Sequence, residues 1–364
     1  MKRSVAFLAA IALLAACGGG DGGATTTTEE LAETTTTVPA ETTTSEAAAP
    51  ETTDAPAEAL VLYSGRNEDF VEPVIEAFTA ETGIEVETRY AGTGELATTI
   101  LAEGGDTPAD VFWAQDPAFI GGIAKEGLLT ELPADITDLV DERFQDAAGQ
   151  WVGITGRSRV FVYNTDLVSE DELPETVWDL VEPEWSGRFG VAPTNGSFVA
   201  FVTGMLLAEG EDRTREWLEG IAANDPVIFE GNGPIVDAVV AGDLDGGLVN
   251  HYYLLQRIAE LGEVPAANHF FGDGDPGSMV MATGAGILAS SDQQDAAAEL
   301  IRYLLSAESQ EHFLGLYEYP MIDEAGTPEG QPPLSELAVF DISLTDTADT
   351  LEPALTLISE SGLN

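Results

Sequence analysis

From Leu60 onward the chain alternates compact apolar runs with stretches whose apolar residues recur at helical spacing. Leu60-Val61-Leu62-Tyr63-Ser64 reads as a strand, Gly65-Arg66-Asn67 breaks it, and Phe70, Val74, Ile75 and Phe78 mark one face of a helix that Gly83 ends. Ile84 to Glu87 alternates as a second strand, Leu96, Ile100 and Leu101 mark another helix, and Asp110 to Trp113 is a third strand running into Ala114-Gln115-Asp116-Pro117. This rhythm predicts a parallel sheet whose strands end in loops along one edge, the edge where open α/β sheets bind ligands. Tyr63 to Asn67 and Gln115 to Asp116 therefore share one rim.

Further along, Trp151 to Ile154 and Val160 to Tyr163 read as two apolar runs separated by Thr155-Gly156-Arg157-Ser158-Arg159, so Arg66, Arg157 and Arg159 all fall at strand ends or turns. Thr194-Asn195-Gly196-Ser197 precedes a long apolar helix from Phe198 to Leu207. Gly231-Asn232-Gly233-Pro234 opens another, with Asn232 as its cap. Both are helix starts, where free N–H groups favour anions. A strand through Leu248-Val249-Asn250 then leads to Tyr252-Tyr253, and Leu254, Leu255, Ile258 and Leu261 predict a helix beginning there. Neighbours on a strand face opposite ways, so the two phenols share one side only if the backbone turns at this junction. Two readings follow. A pair of phenol oxygens suits a hard metal, because a bound cation strips a proton that ordinarily leaves near pH ~10; alternatively, two half-buried aromatics simply pack the body. A small-residue strand from Ala282 to Leu288, helices from Gln294 to Leu305 and around His312 to Tyr317, and a closing helix within 340–360 complete the pattern.

The 364 residues, 44% of them hydrophobic, give room for about two domains and exclude disorder throughout. A formal charge of -52, from 65 acidic against 13 basic residues, repels nucleic acid and anionic lipid and describes a solvated surface. Against that background three arginines at strand ends are either an anion site or neutralisers of nearby carboxylates. The single cysteine, Cys17, excludes a disulfide framework and any multi-cysteine metal cluster. Lys2-Arg3, the apolar run Val5 to Ala16 and Leu14-Ala15-Ala16-Cys17 resemble a bacterial lipoprotein signal. By that resemblance residues 1–17 are the signal segment, and Cys17 becomes the lipidated first residue, anchored on the outer face of the cytoplasmic membrane. Residues 18–58 are Thr, Glu, Ala, Gly and Pro with almost no large apolar side chain, the composition of a disordered linker. No later run is long and apolar enough to span a bilayer, which leaves the lipid as the membrane attachment.

The landmarks Tyr63-Ser64-Gly65-Arg66, Pro108 to Trp113, Trp151 to Tyr163, Ala192-Pro193-Thr194, Asn250-His251-Tyr252-Tyr253, Asp275-Pro276-Gly277 and Tyr319-Pro320, in that order, resemble the iron(III)-binding substrate receptors of bacterial ABC importers. The resemblance implies an α/β, two-lobed clamp of the periplasmic-binding-protein type (class II) with a strand hinge. Its first lobe would comprise 59–157 and 284–330, its second lobe 158–283, and 331–364 would be a C-terminal helical segment on the second lobe. It implies that Tyr252 and Tyr253 are the phenolate ligands of Fe(III), and that a synergistic anion (phosphate, carbonate or citrate) is held at Thr155, Gly156, Arg157, Asn232 and Asn250. It further implies a monomer that serves a membrane permease. Two departures stand out: relatives place a metal-binding histidine where this chain has Asn67 and a glutamate where it has Gln115. That leaves Glu68, Asp69, Asp116, water or the anion to complete the shell. His251 sits beside the pair, and Phe198, where some relatives carry a further tyrosine, cannot ligate.

The competing readings are a receptor for an organic or oxyanion solute (polyamine, thiosulfate, phosphonate) with the tyrosines as walls, an extracellular hydrolase, and an adhesin. No nucleophile elbow, no His-Glu-x-x-His helix and no phosphate-cradling loop with lysine occurs in the chain, which argues against the hydrolase.

Overall fold

The computed structural model describes residues 58–272, 274–337 and 342–363. Cys17, the signal segment 1–17 and the 18–58 linker, Glu58 apart, lie outside the described residues. Ten strands form the framework: β1 (Leu60–Ser64), β2 (Val86–Tyr90), β3 (Val111–Ala114), β4 (Val152–Asn164), β5 (Phe189–Val191), β6 (Val227–Ile228), β7 (Gly246–Asn250), β8 (Ala266–His269), β9 (Val280–Ile287) and β10 (Tyr319–Pro320). Their order is β2-β1-β3-β9-β4-β7-β5-β6, with β8 and β10 pairing β4 off this path. The expected parallel rhythm holds for β1 with β2 and β3, each crossing through a helix on the way. A second parallel set, β5 with β6 and β7, repeats it at the other end. Between the sets, β9 and β4 run antiparallel to their neighbours.

The decisive element is β4. The two runs expected on either side of a turn are one strand of 13 residues, buried along its whole length. Residues 152–158 pair with β9, and Thr155 and Gly156 also with β10; residues 159–164 pair with β7 and β8. Strand pairing along its whole length, with the His251 N–H on the Ser158 carbonyl and the Arg159 N–H on the Met279 carbonyl, takes up its backbone groups, which is why a polar Thr-Gly-Arg-Ser-Arg segment can stay extended inside the protein. Arg157 and Arg159 are therefore mid-strand residues and not turn residues, and alternation puts both on the same face.

The apolar packing changes along β4. Ile154 belongs to a core with Leu60, Phe78, Phe112, Trp113 and Trp151. Val160 and Phe161 belong to cores on the other side, with Val236 and Val249 and with Phe198, Trp217 and Leu248 respectively. Leu344 packs in the first core, whereas Ala354, Leu357 and Ile358 of the last helix, Thr347–Glu360, pack in the second. Along the first core the expected helices appear at Glu68–Thr82, Thr93–Glu103 and Gln294–Leu304, and His312 falls in Ala307–Gly315. Among the described residues no helix is long and apolar enough to cross a membrane.

Candidate metal centre

Among the described residues no group of three or more His, Cys, Asp or Glu side chains is placed to hold a metal ion. A metal centre in this body therefore rests on other donors. At the end of β7 the backbone turns through His251, which has helical dihedrals, into the helix Tyr252–Leu261. That turn brings the phenols together: their rings stack with centroids 4.4 Å apart and planes inclined by 25°. Tyr252 is buried, and burial followed by the proximity of Tyr253 pushes its hydroxyl well above the ordinary phenol range, with Arg157 pulling the other way. Such a phenol stays neutral until a cation takes its place on the oxygen.

His251 turns both of its ring nitrogens to the backbone. Its Nδ1 accepts from the Ser158 N–H (3.3 Å) and its Nε2 donates to the Tyr317 carbonyl (2.8 Å). Its own N–H reaches the Ser158 carbonyl at 3.0 Å, and its carbonyl accepts from Asn268 Nδ2 at 2.8 Å. Burial holds the ring neutral, with its pKa pushed down to about 4. Both ring nitrogens are occupied, so the histidine fixes the backbone just before the tyrosines and has no nitrogen free as a donor to a metal.

Behind the tyrosines lies a polar cage built on Arg159, which is 3% exposed. Its Nη1 donates to Asn250 Oδ1 (3.1 Å), Ser197 Oγ (3.2 Å) and Asn232 Oδ1 (3.3 Å). Asn232 in turn donates to Ser197 Oγ (2.9 Å) and Asn195 Oδ1 (3.3 Å). Asn195 caps the helix Gly196–Glu209. Asn232 does not cap its own helix: Gly231 precedes it, and the amide points away to Ser197. Burial pushes the Arg159 guanidinium down to about 9, and the groups that offset this are Tyr253 and Tyr252 and no carboxylate.

On the rim formed by the first strands, Arg66 donates to Gln115 Oε1 and, at 2.6 Å, to Glu318. Arg157 donates to Asp116 Oδ1 at 3.1 Å and to the Gln115 carbonyl. Burial alone would weaken the Arg157 charge, but Asp116, then Tyr252 and Glu318, raise its pKa above the usual arginine value. The cluster thus sets three buried guanidiniums, Arg66, Arg157 and Arg159, against two buried carboxylates, Asp116 and Glu318. One positive charge is left over, beside two phenols.

Residues 63–311 match the family model for bacterial extracellular solute-binding proteins. The chain is 32% identical over 311 residues to the Fe(3+)-binding periplasmic protein of Serratia marcescens, covering 84% of this chain and 91% of that one. It is also 32% identical over 318 residues to the major ferric iron-binding protein of Neisseria meningitidis, with 86% and 96% covered. This chain belongs to the ferric-binding group of the bacterial extracellular solute-binding proteins. Iron-bound HitA of Pseudomonas aeruginosa superposes with a TM-score of 0.77 at 34% identity, over 84% of this chain and 99% of that one.

In this extracytoplasmic solute-binding protein the expected site residues divide into three groups. Tyr252, Tyr253, Asn232 and Asn250 converge with Arg159. Gln115, Asp116 and Arg157 converge on the rim, but the Gln115 side chain is turned to Arg66 and Asp116 to Arg157. Asn67 is exposed ahead of the helix Glu68–Thr82, whose first-turn Glu68 and Asp69 are exposed too, and its side chain makes no cap bond. Thr155 and Gly156 lie within the sheet between β9 and β10, with the Thr155 N–H and hydroxyl both on Thr283 Oγ1. Phe198 is packed with Phe201 and Trp217 and offers no donor. Sequence reading offered Arg159 and the helix start at Asn195 and Ser197 only as separate anion-site alternatives, and it missed Glu318. The scarcity of arginine and the helix start at 195–197 were the available signals. What was missing was the pairing of β4 with β7, which sets Arg159 opposite Asn250.

Proposed function

We propose that this protein captures Fe(III) together with a small oxyanion outside the cytoplasmic membrane and delivers it to the permease of an ABC importer, with the phenolates of Tyr252 and Tyr253 as the metal donors. The observation that carries the reading is the stacked tyrosine pair at a helix start beside a buried, unneutralised guanidinium. Fe(III) is a hard ion that oxygen donors suit. The triply charged metal and the surplus guanidinium together exceed two phenolates by two positive charges, so an anion must enter with the metal if the buried site is to approach neutrality. Asn232 and Asn250 belong to the cage around that anion. The neutral Asn67 and Gln115 leave coordination positions to the anion or water.

The lobe division 59–157 with 284–330 against 158–283 is supported by the change of core along β4; of 331–364, which the division sets on the second lobe, Ala354 and Leu357 pack with the second core, whereas Leu337 and Leu344 pack with the first. Closing two lobes about such strands would sequester the metal and present one closed surface to the permease, as hinge-bending receptors do. The monomer binds and releases; no bond of the cargo is made or broken. Relatives named for iron leave an organic or oxyanion solute without support as the cargo itself. The anchor is a lipid on Cys17, and Cys17→Ser should move the protein from the membrane to the soluble fraction.

The test is colour. Iron-loaded protein should show a phenolate-to-iron charge-transfer band, and a Tyr252→Phe, Tyr253→Phe double variant should lack it. A colourless wild type with iron bound would remove the tyrosines from the site.

A further inference from the structure

Arg159 has one edge answered and one edge bare. The Asn250, Ser197 and Asn232 oxygens all meet Nη1 and hold the guanidinium in place, and the Phe201 ring lies 5.8 Å from Cζ. Nε and Nη2 have no partner among the described residues although both are buried. Leaving two N–H donors of a charged group buried and unmet is costly, so a structure that keeps them implies a missing acceptor. The pair is also specific in shape. Nε–H and Nη2–H point the same way from a rigid plane, and this fork matches two oxygens of a single oxyanion. Arg157 does not offer the same: its Nη2 is already taken by Asp116 and the Gln115 carbonyl.

We propose that Arg159 grips the companion anion side-on through Nε and Nη2, and that the anion is one that presents two oxygens to a single edge: carbonate, phosphate or a carboxylate-bearing chelator. The proposal rests on the metal-centre reading above and adds to it the residue that selects the anion and the geometry of the choice. The cage oxygens at Nη1 are the fixed side of the clamp. The pairing of Arg159 with Asn250 sets the arginine opposite a residue two before the start of the tyrosine pair, where metal and anion would meet. A monatomic anion cannot give each donor its own oxygen, so chloride should bind the fork more weakly than a two-oxygen anion.

Apoprotein is titrated calorimetrically with inorganic phosphate, bicarbonate and citrate in turn, with chloride at equal ionic strength as control. Wild type, Arg159→Lys and Asn250→Asp are compared after circular dichroism has verified that each is folded. Wild type should bind one or more of the oxyanions more tightly than chloride, and the tightest identifies the companion. Arg159→Lys, which keeps the charge and loses the fork, should weaken that binding by roughly tenfold or more. Asn250→Asp, which sets a carboxylate where the amide oxygen now lies 3.1 Å from Nη1, should weaken it in the same direction with the arginine still present. In the iron-loaded proteins the charge-transfer band should shift with the anion in wild type and not in Arg159→Lys. Oxyanion binding by Arg159→Lys equal to that of wild type, or no oxyanion binding by wild type, overturns the proposal. An iron-loaded wild type without colour would instead sink the metal-centre reading, while the phosphate titration of the apoprotein still decides Arg159.

Discussion

Arg66 and Glu318 meet through a 2.6 Å ion pair although 252 residues separate them in the chain. Both side chains are almost wholly buried, so the pair closes the loop after β1 onto the residue just before β10. Glu318→Gln leaves Arg66 buried without its partner and should destabilise the protein by about 3–5 kcal/mol, read from denaturant unfolding. Burial works to raise the Glu318 pKa, but Arg66 and then Arg157 outweigh it and hold the carboxyl below its ordinary 4.5. A depressed folded-state value means stability that is present above 4.5 and lost as the pH falls below it. The acid side of the wild-type stability curve should therefore be steeper than that of the Gln variant. Parallel curves would remove this pair from the account.

Tyr252→Phe separates the metal role from packing. The ring fills the same space and stacks on Tyr253, so apoprotein stability should change by less than about 1 kcal/mol. Fe(III) affinity should fall by more than about 100-fold, beyond the loss typical of a group that only supports a ligand. A large stability loss with little loss of affinity would make Tyr252 a packing residue.

Metal binding should release protons. Tyr252 is held neutral by burial in the apoprotein, and a phenolate on the metal has lost its proton. With two phenolates formed, the apparent affinity should rise by about a hundredfold per pH unit and fall equally on acidification, measured against a chelator of known proton uptake. A pH-independent affinity would show that the phenols keep their protons.

Salt should stabilise this chain. A formal charge of -52 makes self-repulsion the dominant long-range term, and raising ionic strength from 0.1 to 1 M shortens the screening length from about 10 to about 3 Å. Thermal midpoints should climb with NaCl, by about 2–4 °C for each kcal/mol of repulsion removed. A flat or falling midpoint would mean that the carboxylates are already compensated locally.

How much of the site was legible follows from how far each contact reaches. The strand-to-helix turn at Tyr252 is written in adjacent residues, a strand-like run followed by Leu254, Leu255 and Ile258 at helical spacing. The segment 155–159 was misread as a turn because glycine and polar residues locally favour one. The strands that make it extended, β7, β8, β9 and β10, arrive about a hundred residues or more later in the chain, a distance periodicity cannot see.

The sequence by itself determined the succession of elements, the parallel α/β rhythm and the tyrosine junction, because hydrophobic spacing and turn chemistry act over a few residues. Only the tertiary structure decided that Arg159 stands among Ser197, Asn232 and Asn250 with a bare edge, that Gln115 turns to Arg66, and that His251 spends both nitrogens on the backbone. Those outcomes depend on strand pairing and burial between distant segments, where a polar group's partner is set by what the fold brings beside it and not by its neighbours in the chain.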